Sequence, residues 1–241
     1  MSIDKENNNK IKDLKEIWLN NSAKRFRKVS MSNNTKKFDK LPQWLDKVSS
    51  RYEQENNNTF PEKYYYYKRG TIIRVDFGVN MGSEFCGLHF AVVLDKKDTS
   101  KRRTLTVVPL TSKEKKDRFS LGKEIFNQTV TILDKRKHDI LAEAKILSQK
   151  EKDFKLNHTY NHEEIIKDVK KLEKDVSDMQ RVITIYDNYN KNSYVLLQDI
   201  TTISKFRINR INKFDPSGKI KLNEQQMRSI SDELKKLYLT E

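Results

Sequence analysis

The chain has 241 residues, 35% hydrophobic and 34% charged, with a net charge of +15 at pH 7 and a pI of about 9.6. It has no apolar run of about 18 residues and its start, MSIDKENNNK, has no apolar core, so a cytoplasmic protein is expected, with neither a membrane span nor a signal peptide. The single cysteine, Cys86, excludes an intramolecular disulfide framework and a Cys-based zinc site. The positive excess favours a polyanionic partner, because each Lys or Arg near a phosphate releases condensed counterions.

Residues 1–63 are polar, with Asn runs at Asn7–Asn9 and Asn56–Asn58. Ile11, Leu14, Ile17 and Trp18 fall at helical spacing, and a second helix is predicted over LPQWLDKVSSRYEQE. There Pro42 suits a first turn, and Leu41, Trp44, Leu45 and Val48 share a face. Trp18 and Trp44 are read as docking residues for these helices, with an aromatic platform for bases as the alternative. Strands are predicted next over Thr71–Phe77, HFAVVLD (His89–Asp95) and TLTVVPL (Thr104–Leu110). They are short, β-branched and free of intervening helical patterns, which argues for antiparallel pairing in a small barrel or sheet.

Ile165, Val169, Leu172, Val176, Met179, Ile183 and Tyr186 then form a heptad seam. Leu133, Ile140, Ala144, Leu147 and Phe154 fit the same grid before it, and LNHTYNH offers a reversal, so residues 131–187 are expected to form an antiparallel helical hairpin. His158 and His162 lie one helical turn apart. Without an HExxH pattern they read as a solvated pair, and no metal site is expected. SYVLLQDITTI returns to strand, and a closing helix follows, with Asn223 as its cap and Met227, Ile230, Leu234 and Leu237 as its apolar face.

Three blocks carry a family likeness. KRGTIIRVDFGVNMGSEFCGLHFAVVLDKK resembles the opening of MazF/PemK toxins, TLTVVPLTS the next family strand, and SYVLLQDITTISKFRINRINKF a late one; the likeness covers residues 68–112 and 192–239. The resemblance implies an α+β fold: a small SH3-like antiparallel β-barrel, here with N-terminal helices, the inserted hairpin and a C-terminal helix. The implied division is an N-terminal extension (1–63), a barrel domain (64–130 and 188–241) and the hairpin (131–187). The family further implies a homodimer, single-stranded RNA as substrate, no cofactor, and a small acidic antitoxin protein as partner. Its reaction is metal-independent cleavage, in which the ribose 2′-OH attacks the neighbouring phosphate to leave a cyclic phosphate and a 5′-OH.

The site departs from the family pattern. Where the family has Arg-Pro after its GSE loop, this chain has His89 and Phe90. Arg supplies a donor fork but is a poor base, whereas an imidazole can transfer protons near neutral pH and supplies no fork. His89 therefore either retains cleavage with altered pH dependence or marks a non-catalytic barrel that binds nucleic acid or antitoxin. Thr111 matches the second active-site residue of the family, as a donor to a nonbridging phosphate oxygen; a local backbone bond is the structural alternative. Ser83, Glu84, Ser112 and Lys113 are candidate substrate contacts, with Glu84 otherwise a loop brace. Cys86 reads as a small packed loop residue. Gln198–Asp199 and Thr201 stand where the late motif has acid-Gln and Arg, which bears on base recognition.

Overall fold

A computed structural model describes residues 2–32, 35–116, 118–157 and 160–239 of the chain. Its contacts fall into two units, Met1–Glu62 with Phe77–Gly87, and Lys63–Asp76 with Leu88–Glu241.

The first unit holds α1 (Ser2–Ser30), a 3-10 turn (Lys36–Lys40), α2 (Leu41–Asn56) and the 77–87 loop. Pro42 lies in the first turn of α2, where a missing N–H costs nothing. Trp44 docks as expected: its ring lies against Gly78, at φ +81°, and a Cβ there would land within the indole. Gly78 thus meets a steric and a backbone requirement together. The Gly87 N–H donates to the Gly78 carbonyl at 2.8 Å, and Lys37 Nζ donates to the Gly82 carbonyl at 2.8 Å, closing the loop. Trp18 does not dock, being 63% exposed on a helix whose Ile11, Leu14 and Ile17 are exposed as well.

The second unit is a mixed α/β body built on an antiparallel sheet. Its strands are β1 (Ile72–Asp76), β2 (Leu88–Val93), β3 (Thr104–Thr111), β4 (Phe119–Gly122), β5 (Ser193–Val195) and β6 (Thr201–Ser204). The order is β1-β2-β3-β5-β4, with β6 beside β3. This ladder is open, so the expected closed SH3-like barrel is not formed. Instead, the outer edge of β1 is covered by the irregular segment 208–222. Ile72 N–H donates to Ile220 at 2.9 Å, Gly218 N–H to Ile72 at 2.7 Å and Asn209 N–H to Arg74 at 2.8 Å, so the edge donors and acceptors are satisfied without another strand.

The late apolar stretch is not one strand either, and Pro109 explains why. Leu110 pairs with Val195, but Val107 pairs with Thr201, so β5 and β6 follow different registers along β3. Pro109 has no N–H to offer its neighbour. Its carbonyl accepts from Leu196 N–H at 2.9 Å, while the Leu196 carbonyl takes the N–H of Asp199 at 3.0 Å, in a 3-10 turn (Leu197–Asp199) that absorbs the extra residues.

Two long helices, α3 (Glu124–Asn157) and α4 (His162–Asp187), leave β4 and return to β5. Lys150 pairs with Asp168 at 3.1 Å and Lys171 with Glu143 at 3.8 Å, the antiparallel order of a hairpin. It starts before residue 131, because β4 and the first turn of α3 occupy a stretch whose short apolar runs carried no clear period. His158 lies outside the described residues, and His162 stacks on Phe154 with ring centroids 5.5 Å apart. The heptad seam is only partly buried: Ile165, Met179 and Tyr186 are, Val176 is 51% exposed, and off-seam Val182 is fully buried. The last turns of α4 join one core cluster with both α3 and the sheet.

The core joins Ile72, Phe90, Val92, Val108 and Leu110 of the sheet to Ile125 and Leu133 of α3, Met179, Val182 and Tyr186 of α4, and Met227 and Ile230 of α5 (Glu224–Tyr238). The α5 N-terminus is a reciprocal capping box between Asn223 and Gln226. Its predicted apolar face is truncated, since Leu237 is 45% exposed. Among the described residues no helix is long and apolar enough to cross a membrane.

A buried ion pair fixes the entry of the chain into this unit. Lys205 Nζ reaches Asp98 at 2.8 Å, with side-chain exposures of 2% and 0%, and also donates to the Tyr65 and Thr99 carbonyls at 3.0 Å each. All its donors are used, which is the condition under which a buried ammonium is tolerated. Lys205→Ala leaves the buried Asp98 carboxylate with only the Tyr67 and Thr99 amides and no counter-charge, and is expected to lower the unfolding free energy by about 3–5 kcal/mol, read from urea titration by circular dichroism. Lys150→Ala, which breaks an exposed pair, should leave the urea midpoint unchanged.

Candidate active site

The β2–β3 ladder runs Val93↔Val107, Val92↔Val108 and Ala91↔Pro109, and there it ends. Beyond that point β3 turns its bonds to β5, with Leu110↔Val195 and Thr111↔Tyr194, while β2 stays on β1 through Val75↔His89. The two strands therefore part at the same end of the sheet. In the gap lies a cleft of about 210 Å³, lined among others by His89, Thr111, Ser112, Lys113, Tyr189 and Lys191. Continuing the register from Ala91↔Pro109 by two residues brings His89 level with Thr111, so antiparallel pairing itself carries both to one place.

Thr111 makes the local bond that its position at a strand end suggests. Its Oγ1 accepts the Lys113 N–H at 3.2 Å, which uses a lone pair and leaves the hydroxyl proton to be donated. Lys113 and Ser112 are exposed on the following loop, which Arg118 braces by donating to the Lys113 carbonyl at 2.7 Å. Ser83 and Glu84 belong to the other unit and are exposed there. Cys86 packs in that same loop, its thiol 3.1 Å from the Glu84 carbonyl.

Sequence reasoning missed the wall formed by Asn188, Tyr189, Lys191, Asn192 and Ser193. These residues follow α4 and read as a linker, and the only signal in sequence is the YDNYNKNS composition of a tight polar turn. The turn is closed by Tyr189 N–H donating to the Tyr186 carbonyl at 2.8 Å and Lys191 N–H to Tyr189 at 2.7 Å. It is anchored from inside. Tyr186 donates its hydroxyl to Asp215 at 2.7 Å, and Asp215, fully buried, also accepts the N–H of Ile211 at 2.7 Å and of Ser217 at 2.8 Å. Burial, and then the Asp215 charge, push the Tyr186 phenol well above its ordinary value, so it remains a donor.

The cleft is thus lined by residues bearing hydroxyls (Thr111, Ser112), an imidazole (His89) and ammonium groups (Lys113, Lys191). Among the described residues there is no group of three or more His, Cys, Asp or Glu side chains placed to hold a metal ion. Residues 68–176 match the family of PemK-like, MazF-like toxins of type II toxin–antitoxin systems. That segment of the chain is similar to the MazF/PemK toxin family. The match includes α3 and part of α4, which the short blocks of likeness had left outside, and it ends before the late block at 192–239. A comparison with curated proteins finds no match.

Because the folded Tyr186 phenol holds its proton more tightly than the unfolded one, its stabilisation is complete below the unfolded value of about 10 and falls as pH rises above it. Tyr186→Phe is expected to cost about 1–3 kcal/mol at neutral pH. It should also flatten the loss of stability above pH ~10, seen by comparing thermal midpoints of the two proteins across pH.

Proposed function

We propose that this protein is a toxin-type endoribonuclease that cleaves single-stranded RNA without a metal ion, by attack of the ribose 2′-hydroxyl on the adjacent phosphate. The observation that carries this reading is the convergence of His89 and Thr111 on one cleft beside Lys113 and Lys191, on a chain with a segment similar to a family of toxins. His89 accepts the 2′-hydroxyl proton. The O2′–P bond forms as the P–O5′ bond breaks, and the departing O5′ takes a proton from water. Thr111 donates to a nonbridging oxygen, and the ammonium groups offset the extra charge of the pentavalent state. Histidine in place of the family's arginine exchanges a fixed charge for a proton carrier, and the lysines then supply the charge that the histidine lacks.

The same reading includes an SH3-like ancestry for the open sheet, a homodimer, action in the cytoplasm and a small acidic antitoxin. The net charge of +15 supports both an RNA substrate and an acidic inhibitor.

Purified protein is expected to cut mixed-sequence single-stranded RNA in EDTA, leaving 2′,3′-cyclic phosphate and 5′-hydroxyl ends. His89→Ala should slow cleavage by roughly 10²–10⁴-fold and Thr111→Ala by about 10²-fold, as measured by end-labelled product mapping. RNA binding without cleavage by the parent would replace this reading with that of a non-cutting binder.

A further inference from the structure

The turn after α4 supplies a second wall of the cleft, opposite the residues that the sequence pattern identifies. Tyr189 is half-buried and meets Phe90 nearly edge-on, with centroids 4.8 Å apart at 64°, and Tyr186 at 5.8 Å and 58°. These two ring contacts hold Tyr189 while it also lines the cleft. Two residues on, Lys191 is exposed at the same opening. The Tyr186–Asp215 bond anchors the turn, because it ties the last turn of α4 to the buried Asp215 of the 208–222 segment. An aromatic ring and a cation two residues apart beside a phosphate-sized cleft match the repeat of a single strand, in which a base lies next to each phosphate.

We infer that the Asn188–Ser193 turn is a nucleotide-positioning element, in which Tyr189 stacks a base next to the scissile phosphate and Lys191 neutralises a neighbouring phosphate. This rests on the RNA-cleaving reading above but concerns binding, which is measured separately. Tyr189 and Lys191 touch the nucleic acid and transfer no proton. Stacking takes the face of any base, so the turn that returns the helical hairpin to the sheet sets where the strand lies in the cleft.

The probe is a fluorescein-labelled, mixed-sequence single strand with 2′-fluoro sugars, which has no 2′-hydroxyl and cannot be cut. Affinity is read by anisotropy over a salt series with the full chain. Tyr189→Leu is expected to bind roughly tenfold more weakly, and Tyr189→Phe within about twofold of the parent. Lys191→Gln should bind several-fold more weakly and lower the salt slope by about 0.7. Since Tyr189 also packs on the core, Tyr189→Trp gives an independent reading: strand addition should quench the introduced indole against the unchanged signal of Trp18 and Trp44. Parent-like affinity, salt slope and indole emission throughout would overturn the proposal, even if the parent cleaves RNA. The expected losses with an uncut RNA control would support the turn's role and remove only the cleavage reading. No binding by the parent would overturn both.

Discussion

The buried carboxylate of Asp215 is the point on which the second unit turns. It accepts hydrogen bonds from Tyr186 on α4 and from the Ile211 and Ser217 amides, and no part of it is exposed. A carboxylate taken out of water needs several donors; two here are amides of its own segment and the third, Tyr186, comes from 29 residues away. The bond therefore has two structural consequences. It shapes the 208–222 segment that satisfies the edge of β1, and it sets where α4 ends, hence where the chain turns back toward β5. Lys213 pairs with Asp175 on the same helix and reinforces that docking.

The second decisive constraint is a missing donor. Pro109 in the central strand cannot complete an exchange with Leu196, so β5 stops and the chain makes a 3-10 turn before β6 resumes on a new register. Near the same residue β2 and β3 cease to pair. A sheet whose central strand changes partners leaves a gap at its end, and the cleft occupies that gap. Local irregularity thus places His89 and Thr111 at a sheet terminus, where side chains reach solvent while the backbone beneath them stays fixed.

Positive charge is concentrated in segments that line the cleft. The 112–118 loop carries Lys113, Lys115, Lys116 and Arg118, and the opposite wall carries Lys191. Glu114 in the same loop offsets part of that charge, and association of the remaining lysines with the proposed polyanion would be salt-dependent. The hairpin is more than an appendage in this arrangement, because its return turn forms part of the cleft, and the family match itself runs into α4.

Periodicity and turn chemistry made the secondary structure legible: the three early strands, the α2 start at Pro42, the helix pair and the Asn223 cap all follow from local residue preferences. The motif blocks gave His89, Thr111, Ser112 and Lys113, which share a cleft because antiparallel register is a short-range rule. That the sheet stays open could not be read locally, since it depends on the 208–222 segment covering the edge of β1 and on one proline within β3. Nor could the Tyr189 and Lys191 wall, whose place is fixed by a hydrogen bond across 29 residues of chain. Burial of Val182 in place of Val176 was likewise decided by which neighbour α4 met. The sequence by itself determined the elements and the chemistry available, because backbone propensity and side-chain type act over a few residues. Only the tertiary structure decided which edges were satisfied and what faced the cleft, because those outcomes belong to partners that the chain meets only after folding.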